Sequence, residues 1–171
     1  MRDVNAPRVE EALKELHASA AEVRAAQTQW TKMAYSARAP RGLRGLRAVL
    51  GSPVSEGTAE FGALSCKVAR WRLPYWPELE FEAVAGPGGG VWHQWLVRPG
   101  EVRRVGFAEL VPWTCVVADV VASFPGAEQR EGAAPNHWAV DFSHESRKYR
   151  ALFVYGLFQG FAPAGRNLAD A

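Results

Sequence analysis

The sequence contains few cysteines and no long hydrophobic run. Its 171 residues include two cysteines, Cys66 and Cys115, and neither has a second cysteine or a histidine at zinc-site spacing. We therefore expect free, buried thiols, as in a reducing compartment, and we predict no metal and no cofactor. No apolar stretch reaches the ~20 residues that a membrane helix requires, and the charged N-terminus is unlike a secretory signal. These absences predict a cytoplasmic protein without a membrane segment.

The sequence also lacks any motif that defines a reaction. Residues 86–90 are glycine-rich, but an alternating, strand-like segment follows them, whereas a phosphate-binding loop leads into a helix. We interpret them as a hairpin turn. No serine stands between the glycines of a nucleophile elbow. A non-enzymatic binding, assembly or accessory protein is therefore favoured over an enzyme. The Ala-, Arg-, Gly-, Pro- and Val-rich composition indicates a bacterial or phage source.

The N-terminal part has a helical pattern of apolar residues. Spacings of four and three alternate along one stripe, which consists of Val9, Leu13, Leu16, Ala20, Val23, Gln27, Trp30 and Ala34. This period is typical of a coiled-coil seam and predicts one long helix over about 6–36. The helix lies either across a sheet or against another subunit, so a homo- or hetero-oligomer is one prediction. Together with the arginine-rich segment that follows, it forms a first unit, 1–50.

Period-two patterns begin after residue 60 and predict an antiparallel meander. The predicted strands are 61–72, 78–83, 91–98 and 102–107, and residues 51–60 are expected to form a loop. In the second strand Glu78, Glu80 and Glu82 alternate with apolar residues, which places three carboxylates on an open face.

A second helix and a C-terminal pair of strands complete the prediction. The helix follows Pro112 and buries Trp113, Val117, Val120 and Phe124, with a strand as the alternative because of its valines. The strands are 137–142 and 149–158, with a helix as the alternative for the latter. The fold class is thus α+β, with a long N-terminal helix packed on an antiparallel meander sheet. Residues 51–161 form the α+β core, and 162–171 form a flexible tail.

Residues 23–55 lack negative charge: they contain six basic residues and no acidic residue. Four arginines recur at every third position from Arg38 to Arg47, and on a helix they would oppose the leucines between them. Such a segment suits phosphates or an acidic protein surface. The alternative is pairing with the three strand glutamates or with the acidic residues 109–145, whose charges sum to −5. The predicted partner-binding residues are Lys32, Arg38, Arg41, Arg44, Arg47, Lys67, Arg70, Trp30 and Trp71. The aromatic residues near this segment in the sequence, Trp30, Tyr35, Trp71 and Trp76, are suited to stacking on bases.

The alternative function is that of a small hydrolase-like enzyme. His137 and Asp141 share one face of a predicted strand, and His93 lies in the central hairpin. A histidine held by a carboxylate can act as a general base. His137 and Asp141 are four residues apart on an extended strand, too far for a direct hydrogen bond. The hypothesis therefore requires folding to bring His93 or another histidine to Asp141.

Overall fold

Four α-helices and eight strands form the part of the chain that the structure describes. The structure is a computed structural model, and it describes residues 6–35, 40–132, 134 and 136–162. The helices are α1 (Ala6–Glu15), α2 (Ala20–Tyr35), α3 (Gly42–Leu50) and α4 (Val117–Ser123). The strands are β1 (Ser55–Phe61), β2 (Leu64–Leu73), β3 (Trp76–Ala85), β4 (Val91–Val97), β5 (Glu128–Glu131), β6 (His137–His144), β7 (Arg147–Val154) and β8 (Leu157–Phe161). The predicted α+β class is confirmed. The predicted tail beyond residue 162 lies outside the described residues.

The single long helix predicted over 6–36 is instead two helices. His17 has a positive φ of 49°, which ends α1, and the Ser19 hydroxyl accepts a hydrogen bond from the Glu22 amide at 3.2 Å. The Glu22 carboxylate accepts the Ser19 amide in return, at 2.7 Å. This reciprocal pair is a capping box and starts α2. Since the apolar stripe continues through the break, periodicity alone did not reveal it.

The first sheet has the order β1-β2-β3-β4, and every neighbouring pair is antiparallel. The loop predicted over 51–60 is wrong, because β1 pairs with β2 from Ser55–Arg70 to Phe61–Leu64. Nearly all its side chains are exposed, so it carries no alternating apolar signal, and backbone pairing defines it.

The strand predicted over 102–107 is also wrong. The Arg103 amide donates to the Asp119 carboxylate at 3.2 Å, and the Val105 amide donates to the Ser123 hydroxyl at 2.8 Å. Side chains of α4 therefore take the donors that a neighbouring strand would need. Residues 107–109 form a short 3₁₀ helix.

The first sheet packs against α3. Leu43 and Leu46 of the helix are buried on a patch of small and aromatic strand residues, which are Ala69, Trp71, Ala83 and Ala85. Small strand residues let the helix approach closely, and Trp71 fills the remaining space. This contact orients the arginines of α3 away from the sheet.

The second sheet has the order β5-β6-β7-β8 and packs against α4. β5 lies between α4 and β6, where no strand is predicted, and all four of its side chains are exposed. Residues 149–158 do not form a helix: β7 ends at Val154 and β8 begins at Leu157. The predicted second helix is present as α4 but begins at Val117, and it buries Val117 and Val120 as expected. Trp113, which was predicted to lie in this helix, is half-buried in the turn before it.

The two sheets meet at the turn between β7 and β8. The Leu96 amide on β4 donates to the Tyr155 carbonyl at 2.7 Å. Gly156 has a positive φ of 77°, and a Cβ there would lie 2.7 Å from the Leu96 carbonyl oxygen. A small core of Leu79, Leu96, Val116 and Leu157 closes the junction.

Candidate functional site: a tryptophan-lined groove beside a basic helix

The arginines of α3 point away from the first sheet, as their spacing predicts. Leu43 and Leu46 are buried, whereas Arg41, Arg44 and Arg47 are exposed. Arg47 forms an ion pair with Glu56 at 2.8 Å. Arg41 and Arg44 have no ion pair with any residue of the described ranges. Arg38 lies outside the described residues.

Two glycines allow this basic helix to sit close to its neighbours. Gly42 has a positive φ of 66°, and a Cβ there would come within 2.2 Å of the Gly89 carbonyl oxygen. A Cβ on Gly45 would lie 2.3 Å from the Pro40 carbonyl oxygen. The glycines lower the intrinsic helix propensity, but they permit the contact that holds α3 against the 86–90 turn. That turn lies where the sequence predicts it.

An apolar groove of about 490 Å³ lies between α2, the first sheet and the β7–β8 turn. Three tryptophans line it: Trp30 from α2, Trp76 from the start of β3, and Trp113 from the segment before α4. Trp76 and Trp113 stand edge to face with ring centroids 6.3 Å apart. The other lining residues are Leu50, Leu73, Phe81, Gln94, Leu96, Val154, Tyr155, Leu157 and Gln159.

Sequence reasoning did not assign Trp76 and Trp113 to a common site. Each adjoins a proline, in Trp76-Pro77 and Pro112-Trp113. This shared feature is a weak signal, and it does not reveal that the two rings meet.

A smaller recess of about 180 Å³ adjoins the groove on the side of α3. Trp30 and Gln94 line both spaces, so the two adjoin at these side chains. The other residues that line the recess are Pro40, Arg41, Gly42, Gly45, Leu46 and Val91. Arg41 therefore lines a space that adjoins the tryptophan-lined groove.

The stripe on α1 and α2 is exposed rather than packed on the sheet as expected. Val9, Leu16, Val23 and Trp30 are between 37% and 52% exposed. Burial, followed by the Glu15 and Glu11 carboxylates of α1, raises the pKa of Tyr75 in the β2–β3 turn. Docking of this stripe on another subunit stays a prediction.

Several predicted partner-binding residues lie away from α3. Trp71 is 1% exposed and donates its indole N–H to the Gly51 carbonyl at 2.9 Å, so it presents no ring face to a ligand. Arg70 is paired with Glu82 at 2.7 Å. Lys67 is exposed, on the opposite face of β2 from Arg70.

Of the three glutamates predicted on an open face of β3, Glu78 is exposed, but Glu80 and Glu82 are each 8% exposed. Glu82 accepts hydrogen bonds from Arg70 and from the Trp95 indole N–H at 2.7 Å. From residue 79 onwards both faces of β3 are covered, so alternation indicated the strand correctly but not its exposure. The alternative that these glutamates neutralise the arginines of α3 has no ion pair to support it among the described residues.

The three residues of the hydrolase hypothesis are not joined by any described hydrogen bond. Asp141 faces Arg150 across the β6–β7 ladder and accepts two hydrogen bonds from it, at 2.6 and 2.8 Å. These bonds lower the pKa of the Asp141 carboxyl. His137 is exposed and contacts the Asn136 side chain at 3.0 Å. His93 packs among aromatic rings, with its centroid 5.1 Å from that of Trp138. A general base oriented by Asp141 has no geometric support here.

The remaining sequence expectations concern the two cysteines, metal binding and membrane-spanning helices. Cys66 and Cys115 are free and buried, which confirms the expected thiols. Within the described ranges, no three His, Cys, Asp or Glu side chains cluster closely enough to hold a metal. No helix among these residues is both long and apolar enough to span a membrane.

Comparisons with known proteins do not assign a family. The sequence matches no protein-family model and no curated protein sequence. One solved structure with a similar arrangement is a candidate β-lactamase inhibitor protein from Streptococcus mutans, at 10% identity and a TM-score of 0.32. The match covers 71% of this chain and 81% of that one. At this TM-score the similarity carries no argument about function.

Proposed function

We propose that the protein is a non-enzymatic binding protein that contacts an acidic protein partner through its basic face, defined as Arg41 and Arg44. Lys32 on α2 is also exposed. One observation carries the proposal. Arg41 and Arg44 are exposed on one side of a helix whose other side is buried, and neither has an acidic partner in the described chain. A rigidly mounted pair of unpaired guanidinium groups is suited to binding carboxylates, since each presents a planar fork of donors.

The arrangement favours a protein partner over a nucleic acid. A nucleic-acid site requires a continuous row of cations, because duplex DNA carries one charge per ~1.7 Å. Arg47 is already paired with Glu56, and Arg70 is paired with Glu82, so neither adds a free cation to such a row. Of the two tryptophans predicted to bind a partner, Trp30 lines a concave apolar space and Trp71 is buried, whereas bases stack on open aromatic faces.

A charge-reversal experiment tests this function. The variant Arg41→Glu/Arg44→Glu is compared with Arg147→Glu/Lys148→Glu, which reverses two exposed charges at the start of β7. The probe is a fluorescein-labelled 15-residue peptide rich in Glu and Leu, and its binding is measured by anisotropy from 50 to 300 mM salt. We expect at least a tenfold loss of affinity in the α3 variant and less than a twofold change in the β7 variant.

Equal losses in both variants, or no binding of the peptide by the wild-type protein, would overturn the proposal. A 20-nucleotide single-stranded DNA serves as the competing probe. If it binds more tightly than the peptide, with a steep salt dependence and a requirement for Arg41 and Arg44, the partner is a nucleic acid and the protein-partner proposal is wrong.

A further inference from the structure

We infer that the tryptophan-lined groove receives a large apolar side chain of the same acidic partner, next to a carboxylate that binds Arg41. This inference rests on the proposed function and specifies how the partner is recognised. It concerns the groove of Trp30, Trp76 and Trp113 together with the adjoining recess.

The size and lining of the groove suit an apolar anchor. Its volume of about 490 Å³ falls in the range of sites that enclose small ligands or side chains, which are mostly apolar with a few polar groups. Two glutamines, Gln94 and Gln159, lie among apolar and aromatic residues. Tryptophan provides rigid contact area at a low cost in conformational entropy, and it is one of the residue types that dominate binding energy at interfaces.

The charge beside the groove selects the partner's chemistry. Among the described residues that line the groove and the recess, Arg41 alone carries a charge. Arg41 is exposed and has no ion pair within the described ranges. Because Trp30 and Gln94 line both spaces, a ligand can contact the tryptophans and the guanidinium group together. An apolar side chain followed within about one helical turn by Asp or Glu meets both requirements, whereas a basic segment would meet no carboxylate here.

The helix α2 places Trp30 at the rim of both spaces. Trp30 is 40% exposed, and no described side chain of α2 is buried. The ring is therefore available to a partner and becomes desolvated only when the groove is filled. Burying such a ring at the centre of a contact is what makes a tryptophan energetically dominant.

Selection from a random 12-residue peptide display library tests the inference without a known partner. We expect enriched peptides to pair Trp, Phe or Leu with Asp or Glu within four positions. Binding of one synthetic enriched peptide is then compared between Trp30→Ala and Trp92→Ala. The two tryptophans are similarly exposed, at 40% and 43%, but Trp92 does not line the groove. We expect at least a tenfold loss in the first variant and less than a twofold change in the second.

Other results would overturn the inference. Enriched peptides that lack an apolar residue, or that bind Trp30→Ala as tightly as wild type, show that the groove is not the anchor site. If these peptides still require Arg41 and Arg44, the proposed function stands and the groove inference alone fails. Peptides that need Trp30 but tolerate Arg41→Glu/Arg44→Glu contradict the carboxylate contact and, with it, the role of the basic face. If no sequence is enriched, the groove inference fails, and the anisotropy experiment decides the function separately.

Discussion

In each half of the described chain, the helix that packs against the sheet precedes a four-stranded antiparallel meander, yet these two helices are held in different ways. In the first half α3 rests on strand residues through Leu43 and Leu46, and its outer face is basic. In the second half α4 contains a fully buried carboxylate, Asp119, paired with Arg98 at 3.1 Å. The helix α3 is therefore held by apolar contact, whereas α4 is held by apolar contact and also by a buried ion pair.

The difference separates a structural use of charge from a binding use. Asp119 also accepts the amides of Arg103 and Val116, so it ties the segment after β4 to the start of α4. Its charge is satisfied inside the protein. Arg41 and Arg44 have no such partner among the described residues, and their charge is left for something outside. We expect substitutions in the second half to affect folding and those on the face of α3 to affect binding.

The largest effect is expected on removing the buried carboxylate. Asp119→Ala leaves the Arg98 guanidinium, whose side chain is 15% exposed, without its partner, and it removes the acceptor of two amides. Breaking a buried ion pair in this way typically costs about 3–5 kcal/mol. The free energy of unfolding in urea measures it. The control Glu56→Ala breaks the exposed pair with Arg47 and should cost less than about 1 kcal/mol. Similar losses in both variants would contradict the contrast between the halves.

A smaller but still substantial effect is expected in the apolar contact of α3. Leu46→Ala removes a side chain that is 6% exposed and leaves a cavity above Trp71, at a cost of about 2–4 kcal/mol. Val49 on the same helix is 46% exposed, so Val49→Ala should change stability by less than about 0.5 kcal/mol. Urea unfolding monitored by tryptophan fluorescence distinguishes them. If Val49→Ala is the more destabilising, α3 does not pack on the sheet by the face described.

The sequence predicts α3 better than it predicts the strands of the first half. Arginines and leucines at helical spacing on α3 indicated both faces correctly, because an amphipathic pattern reports burial directly. β1 was missed because its side chains are nearly all exposed, so it has no apolar period. The prediction of a strand over 102–107 was wrong for the opposite reason. Its alternation was real, but Asp119 and Ser123 take its amide donors.

The groove could not be predicted from the sequence, although its basic neighbour could. Trp30, Trp76 and Trp113 come from three separate elements, and no local pattern predicts which loops meet in the fold. The predicted grouping of Trp71 with the arginines failed because Trp71 faces the underside of α3, where it is buried. The break at residues 16–19 was readable in principle, since Ser19 and Glu22 have capping-box spacing.

The ion pair on the second sheet predicts a pH-dependent effect of moderate size. Arg150 lowers the pKa of the Asp141 carboxyl, so the pair stabilises the protein fully above the ordinary carboxyl pKa of about 3.9. That stabilisation is lost as the pH falls through the lower pKa of the folded state. We expect Asp141→Asn to cost about 1 kcal/mol at pH 7 and progressively less towards pH 2, in thermal unfolding of both proteins. A difference that stays constant over this range would show that the lost stability is not electrostatic.

The smallest effect concerns α1 and α2, which belong to neither half's core. Ser19→Ala removes the hydroxyl that accepts the Glu22 amide, and the freed amide should exchange its hydrogen roughly fivefold faster. Since α2 buries no described side chain, the melting temperature should hardly change. Thr28→Ala is the control, because the Thr28 hydroxyl only donates to the Arg24 carbonyl within the helix. Accelerated exchange throughout both sheets in Ser19→Ala would mean that α2 supports the core and is not an exposed binding element.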